Sequence, residues 1–573
     1  MTLNHASAQM YIDPSALAWT VTALLALPLL LALCHIALTR WGGGTRRPVP
    51  AGTALFFRQP GDAPLTPGQR CARWYFAAAL ILLGVAALPV AIPPEWSRHL
   101  ASAGVLAAVL AAGIFLSPLI SRREPRGQGA AAYALLGVLA VVLYGAIGAG
   151  GLRLWPPLLL AALTAWTVLL WRGLRYRLIN SRDRALPWLF FLAALTVPLT
   201  YATALVWPGG LTGDPLSWPG DAFAAGEAVR SGFAHSWPEN ILSPFVTALV
   251  ACLLVLLGAV RERIAVVASA SSVALYLASS AVSVADQLFG GTSTAAANLP
   301  GAAASGTAGA ATGAAATPFG TDAAMACDAV LTTLAAVPLA VLAVAAWRFP
   351  RRAALHAARS RTRFPHRTAL LFLAAAGCWN LLGAGVFGFA FGLPIIARSG
   401  VGPALATAQA QATAIGTYGM LACALTLCCA RYMIPDAKWP NRLATLSFWS
   451  LNLGLAWTVF AARLPLGLLH LFHPRPGPNP GAEPGYSAME WLSLPGWILY
   501  LAGGIAPLLW IVCLALEQRG TGGADRAEES KAGGPDWDIP APDLVTTIRA
   551  GIHTPHSSGL RRCPACRSTS PNR

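Results

Sequence analysis

FPHRTALLFLAAAGCWNLLGAGVFGFAFGLPIIARSGVGPALATAQAQATAIGTYGMLACALTLCCARY, residues Phe364 to Tyr432, holds two long apolar runs joined by a short loop. Each run reaches the roughly 20 residues that a helix needs to cross a bilayer. The first carries the Gly- and aromatic-rich patch Trp379-Asn380-Leu381-Leu382-Gly383-Ala384-Gly385-Val386-Phe387-Gly388-Phe389. The second opens on Gln409-Ala410-Gln411 and continues through Gly416-Thr417-Tyr418-Gly419. Small residues at such spacing let helix backbones approach closely in lipid, so Gly383, Gly385, Gly388 and Gly419 are expected at helix contacts.

The rest of the chain repeats this pattern. Of its 573 residues 56% are hydrophobic and only 11% charged, with a mean hydropathy of +0.57, a balance outside that of soluble domains. Apolar runs predict about 13 transmembrane helices, because backbone groups in lipid must be satisfied within the segment. They fall at 15–39, 73–93, 99–120, 130–150, 154–171, 187–207, 241–260, 264–288, 325–347, 367–396, 410–433, 443–472 and 490–516. The net charge of +17 is not a nucleic-acid patch. Taken in order, alternate loops hold 26 Lys and Arg on one side and 5 on the other, with Arg463 inside a span and eight in the tail. That alternation is the positive-inside rule, and it places the N-terminus outside and the C-terminus in the cytoplasm. The first run is too long for a secretory signal and lacks a basic leader, so it reads as an anchored span. The eleven cysteines are scattered and mostly within spans, which suits small apolar fillers rather than a disulfide framework.

Polar landmarks sit between the runs. Thr66-Pro67-Gly68-Gln69-Arg70 precedes the second span, and Arg123-Glu124-Pro125-Arg126-Gly127-Gln128 follows the third. Glu95-Trp96-Ser97-Arg98-His99 enters the third span; His99 lies about 200° around a helix from Ser97. His235-Ser236-Trp237-Pro238-Glu239 puts a histidine and a carboxylate at i and i+4, able to address one site if helical. Ser283-Val284-Ala285-Asp286-Gln287 closes the eighth span and precedes a Gly, Ala, Ser and Thr stretch at 291–320 that reads as a flexible loop. Cys563-Pro564-Ala565-Cys566, half of a zinc ribbon at most, lies in a polar tail expected to be disordered.

The opening pair of helices, with these landmarks, resembles the large subunit of bacterial nitric oxide reductases of the quinol-dependent type, within the haem-copper oxidase superfamily. The likeness covers roughly residues 16–516. It implies an all-α fold, a polytopic membrane helix bundle with a core like haem-copper oxidase subunit I. It also implies a division into 1–72 (outer segment, extra helix and cytoplasmic loop), a twelve-helix core at 73–516 and a cytoplasmic tail at 517–573. The family's upstream helix and periplasmic domain are not expected here. By the resemblance, six histidine ligand positions fall on Ser97, His235, Asp286, Gln287, Gln409 and Gln411; a different register puts Val284 and Ala285 at the middle pair. Ser97, Gln409 and Gln411 correspond to haem ligands. His235 is the retained iron-ligand position, and Glu239 carries over as the glutamate that assists iron or proton delivery.

Haem iron takes imidazole, thiolate, thioether or phenolate, and glutamine offers none of these. The resemblance therefore implies the frame of the family without its cofactors. The expectation is a haem-less, non-catalytic member with a structural or regulatory role in a bacterial inner membrane, contacting lipid and other membrane subunits. Two alternatives stand beside it. One is an active respiratory oxidoreductase reducing NO to N2O with haem b and non-haem iron. The other is a small-molecule transporter.

Overall fold

The computed structural model describes residues 14–42, 65–88, 94–121, 123–146, 155–180, 185–206, 239–256, 259–260, 262–294, 321–360, 366–399, 403–434, 438–472, 484–517 and 538–540. They form an all-α bundle with one two-stranded pairing. The first nine helices are α1 (Pro14–Gly42), α2 (Pro67–Ala86), α3 (Pro94–Ser121), α4 (Gln128–Ala146), α5 (Trp155–Asn180), α6 (Ala185–Val206), α7 (Glu239–Leu256), α8 (Glu262–Thr294) and α9 (Thr321–Ser360).

Each of the next long helices carries a wider, π-type stretch in its middle. Helix α10 runs Arg367–Asn380, Leu381–Phe387 (π) and Gly388–Gly392, and a short α11 covers Pro394–Ser399. Helix α12 runs Pro403–Ala410, Gln411–Gly419 (π) and Met420–Met433. Helix α13 runs Asn441–Ala456, Trp457–Arg463 (π) and Leu464–Phe472. Helix α14 runs Pro484–Ile498, Leu499–Ile505 (π) and Ala506–Glu517. The register shift is visible in bonds that reach back five residues: Gly388 N–H to Gly383 O, Leu464 N–H to Val459 O and Ala506 N–H to Leu501 O.

Among the described residues, nine helices are long and apolar enough to cross a membrane. The other four expected spans fall on helices α1, α2, α7 and α8; α1 and α7 supply shorter apolar stretches, Leu17–Ala32 and Leu242–Val255. The chain is thus a membrane-embedded helix bundle.

Several boundaries differ from expectation for local reasons. Helix α2 begins at Pro67 rather than 73, because Thr66 caps it: Gln69 N–H donates to Thr66 Oγ1 (3.4 Å) and Thr66 N–H to Gln69 Oε1 (3.1 Å). The expected division at 72/73 therefore cuts a helix. The span expected at 367–396 breaks at Leu393, which is extended (φ −63°, ψ 134°) ahead of Pro394. Helix α9 continues through Arg348, Arg351, Arg352 and Arg359, a segment expected to be loop. Its Ala and Arg residues are good helix formers. Within the tail expected to be disordered, Asp538–Pro540 (β2) pairs antiparallel with Arg123–Pro125 (β1), Ile539 opposite Glu124.

Helix α12 is the most enclosed of the spans (94% of its apolar stretch is buried) and α4 the least (28%), so α12 is the central helix. Trp166, 0% exposed, fills the core between α3, α5 and α7, its ring edge-on to Phe245 at 4.9 Å and its Nε1–H donating to Leu110 O at 3.4 Å. The exposed ring of Trp449, with Leu453, Trp457, Phe460, Trp491 and Trp510, faces outward, as lipid contact requires. Helices α13 and α14 meet through reciprocal glycines. A Cβ on Gly454 would fall 2.5 Å from Gly496 O, and one on Gly496 would fall 2.6 Å from Gly454 O. Ser447 Oγ donates to Gly504 O at 2.7 Å across the same contact.

Gly454→Ala is expected to lower stability by about 1–3 kcal/mol through overpacking. Gly385→Ala, whose Cβ would meet nothing nearer than 3.9 Å, is expected to be neutral or mildly stabilising. Thermal unfolding of the detergent-solubilised protein checks both.

Candidate functional site

The residues that the sequence singles out are spread over α3, α7, α8 and α12. Ser97 lies in the first turns of α3, Glu239 is the first residue of α7, and Asp286 and Gln287 lie toward the C-terminal end of α8. Their side chains, like all of His235 and the Cys563–Cys566 pair, lie outside the described residues.

Gln409 and Gln411 flank the point where α12 changes from α to π winding, and both are half-buried. Gln409 Nε2 sits 3.7 Å from where a Cβ on Gly388 would be, and its backbone oxygen accepts from Thr413 Oγ1 at 3.0 Å. Gln411 Oε1 is buried with no hydrogen-bond partner. The π stretch behind them is held by packing. Trp379 lies over Gly416, where a Cβ would come within 2.9 Å of its ring, and Thr413 lies over Gly383 at 2.6 Å. Trp379 Nε1–H donates to Asn452 Oδ1 (3.0 Å) on α13. Asn380 Nδ2 donates to Ala336 O (3.1 Å) on α9. Thr417 Oγ1 donates to Ala412 O, five residues back, at 3.4 Å. Of the four glycines expected at helix contacts, Gly383 makes a tight one; Gly388 lies in ordinary contact with Thr332 and Gln409, and Gly419 with Tyr500, while Gly385 has only its own helix nearby.

The two loop motifs are brought together at one end of the bundle. Glu124 is 0% exposed, and its Oε1 accepts from Gly68 N–H at 2.9 Å. Gln69 Nε2 donates to Phe115 O at 3.3 Å, and Gln128 Nε2 reaches Ser117 Oγ at 3.5 Å. Gly129 fits against Pro67, where a Cβ would meet the proline at 2.5 Å. Gly127, at φ +79°, makes the turn between strand and helix that a side chain would strain. Burial raises the Glu124 carboxyl above its ordinary value, while Thr66, Gly68 N–H and the Arg70 charge pull it the other way.

Two further groupings escaped the sequence reading. His366, assigned to a loop, is 2% exposed at the start of α10, its Nδ1 3.7 Å from Cys428 Sγ and its ring 5.3 Å from that of Tyr432. Burial first, and the Arg431 charge second, lower it to about 3, so it is neutral at physiological pH. Cys428 and Tyr432, one turn apart on α12, were the available signal. Asp328, inside the apolar part of α9, accepts from Ser279 Oγ at 3.0 Å. It was legible as a carboxylate in an apolar run.

Among the described residues no group of three or more His, Cys, Asp or Glu side chains is placed to hold a metal ion. The amides of Gln409 and Gln411 do not suit haem iron, which needs a stronger axial donor than an amide. No protein-family model matches the chain, and no curated protein sequence matches it.

Because a buried, unpartnered carbonyl costs about 1–3 kcal/mol, Gln411→Leu is expected to be neutral or stabilising. Trp379→Phe, which strands Asn452, is expected to cost a similar amount. Comparative melting of the two variants decides it; strong destabilisation by Gln411→Leu would mean that its amide has a partner.

Proposed function

We infer that this protein is a haem-less, non-catalytic relative of the nitric oxide reductase large subunit, with a structural or regulatory role in a bacterial inner membrane. The observation that carries this reading is the donor chemistry of α12. At the two positions that the resemblance gives to haem ligands it offers amides, one against Gly388 and one with an unpartnered carbonyl oxygen. Two supporting points are the docking of the Thr66–Arg70 and Arg123–Gln128 segments, both landmarks of the resemblance, and the enclosure of α12 at the centre of the bundle. By the charge alternation of its loops, the end holding Glu124 and His366 faces the cytoplasm and the N-terminus lies outside. Lipid covers the exposed aromatic faces, and other membrane subunits are its expected partners.

A small-molecule transporter is the second reading, favoured by the Asp328–Ser279 pair inside an apolar helix, since ionisable groups at such positions commonly mark transport paths. Uptake into proteoliposomes, lost on Asp328→Asn, would support it over the first.

The optical spectrum of purified protein is expected to lack stoichiometric b-type Soret and α bands; their presence would overturn the haem-less reading. The double variant Gln409→His with Gln411→His is expected to produce no N2O from NO, because Asp286 and Gln287 leave the iron position without its imidazole pair. Measurable N2O from that variant would contradict this.

A further inference from the structure

The loop Arg123–Gln128 does two things at once. Its side chains dock on the N-terminus of α2 through Glu124, and its backbone edge pairs with the tail strand β2. Glu124 is central to both, being the fully buried carboxyl and also the residue opposite Ile539 in the pairing. One of its oxygens accepts the Gly68 N–H; the other, Oε2, is buried with no hydrogen-bond partner. Oε2 lies only 3.0 Å from where a Cβ on Gly68 would be, so the acid is pressed onto the helix start and no side chain fits between them.

A carboxylate buried with one oxygen unmatched is costly, whereas a neutral carboxylic acid is far less so. The groups around it are few. The Thr66 hydroxyl and the Arg70 charge, both at the start of α2, favour the ionised form, and Cys71 on the same helix is itself raised to about 12, by burial first and by Glu124 second. From the loop and α5, Arg126 and Arg172 are tied to each other, Arg172 Nη2 donating to Arg126 O at 3.5 Å. Asp538 stands opposite Pro125 in the strand pairing. The local field is therefore mixed, and burial decides the balance.

We propose that this loop is a proton-operated latch for the C-terminal tail: Glu124 holds its proton while Asp538–Pro540 lies on the loop edge, and ionises when the strand leaves. The strand's backbone closes the free edge of the loop, which keeps water from the carboxyl beneath it. Without the strand, water reaches the loop and the carboxylate is solvated. Tail docking and proton binding at Glu124 are then linked, and each favours the other. The latch is independent of the haem-less reading, and its failure would leave that reading untouched.

The direction of the pH effect follows from the raised carboxyl. The folded, latched state binds the proton more tightly than the unfolded chain, whose carboxyl has its ordinary value of 4.5. The stabilisation is complete below that value and is lost as pH rises through the higher value of the latched state. Infrared difference spectra of the full-length protein in liposomes, recorded across a pH titration, read this directly. A component of the protonated-acid carbonyl stretch that persists above the ordinary carboxyl range is expected, disappearing as pH rises further and missing in Glu124→Gln. Ile539→Pro, which removes a strand N–H, is expected to move the midpoint down by about one pH unit, a tenfold loss of proton affinity. Trypsin cleavage in the tail, at Arg526, Lys531 or Arg549, gives a second readout. Cleavage of the parent relative to Glu124→Gln is expected to rise as pH passes through the midpoint and to level off about tenfold higher, the same factor seen from the tail's side. A parent protein with no acid component above the ordinary carboxyl range, or an unchanged midpoint in Ile539→Pro, would overturn the latch; so would equal tail cleavage in parent and Glu124→Gln at all pH values.

Discussion

Close approach of helix backbones is the constraint on which the rest of this bundle depends. In lipid there is no hydrophobic force to press one apolar helix against another, so packing and hydrogen bonding must do it. Here the contact is made where glycine leaves room. Gly454 and Gly496 present carbonyl oxygens to each other, Gly503 and Gly504 receive Ser450 and Leu451, and Gly416 receives the Trp379 ring. These contacts fix α13 against α14 and α10 against α12, and so fix the surroundings of Gln409 and Gln411.

The π stretches belong to the same scheme. One lies in each of α10, α12, α13 and α14, beside or within these glycine contacts. A widened turn frees backbone oxygens, and nearby hydroxyls answer some of them: Thr333 reaches Gly385 O and Thr417 reaches Ala412 O. Such turns recur at functional sites in other helical proteins. Within the stretches of α10 and α12 the tight contacts fall on Gly383 and Gly416.

Much of this was legible in the sequence. The membrane helices were in part, because 20 apolar residues in lipid admit one conformation: nine of the thirteen expected runs match helices that are long and apolar enough to cross a membrane among the described residues. Helix ends were less so. Thr66 and Gln69 start α2 earlier than hydropathy suggests, and Pro394 cuts α10 by a steric rule that hydropathy does not contain. The π turns left no mark in composition, since an inserted residue changes register and not polarity. At the candidate site, the amides at 409 and 411 could be read directly, but the burial of His366 and Glu124 could not, because each is buried by residues far along the chain. The union of the Thr66–Arg70 and Arg123–Gln128 segments was likewise beyond a one-dimensional reading, although both motifs stood out.

The central claim is that the side chains at the places the resemblance assigns to iron ligands cannot hold iron. It concerns chemistry at Ser97, Asp286, Gln287, Gln409 and Gln411 together, so iron content tests it more directly than any single substitution. Protein purified from membranes in mild detergent, with elemental mass spectrometry of iron per chain, is the measurement. The account predicts iron far below one atom per chain after removal of loosely bound metal. Tightly held iron approaching three atoms per chain, the complement of two haems and a non-haem site, would contradict it.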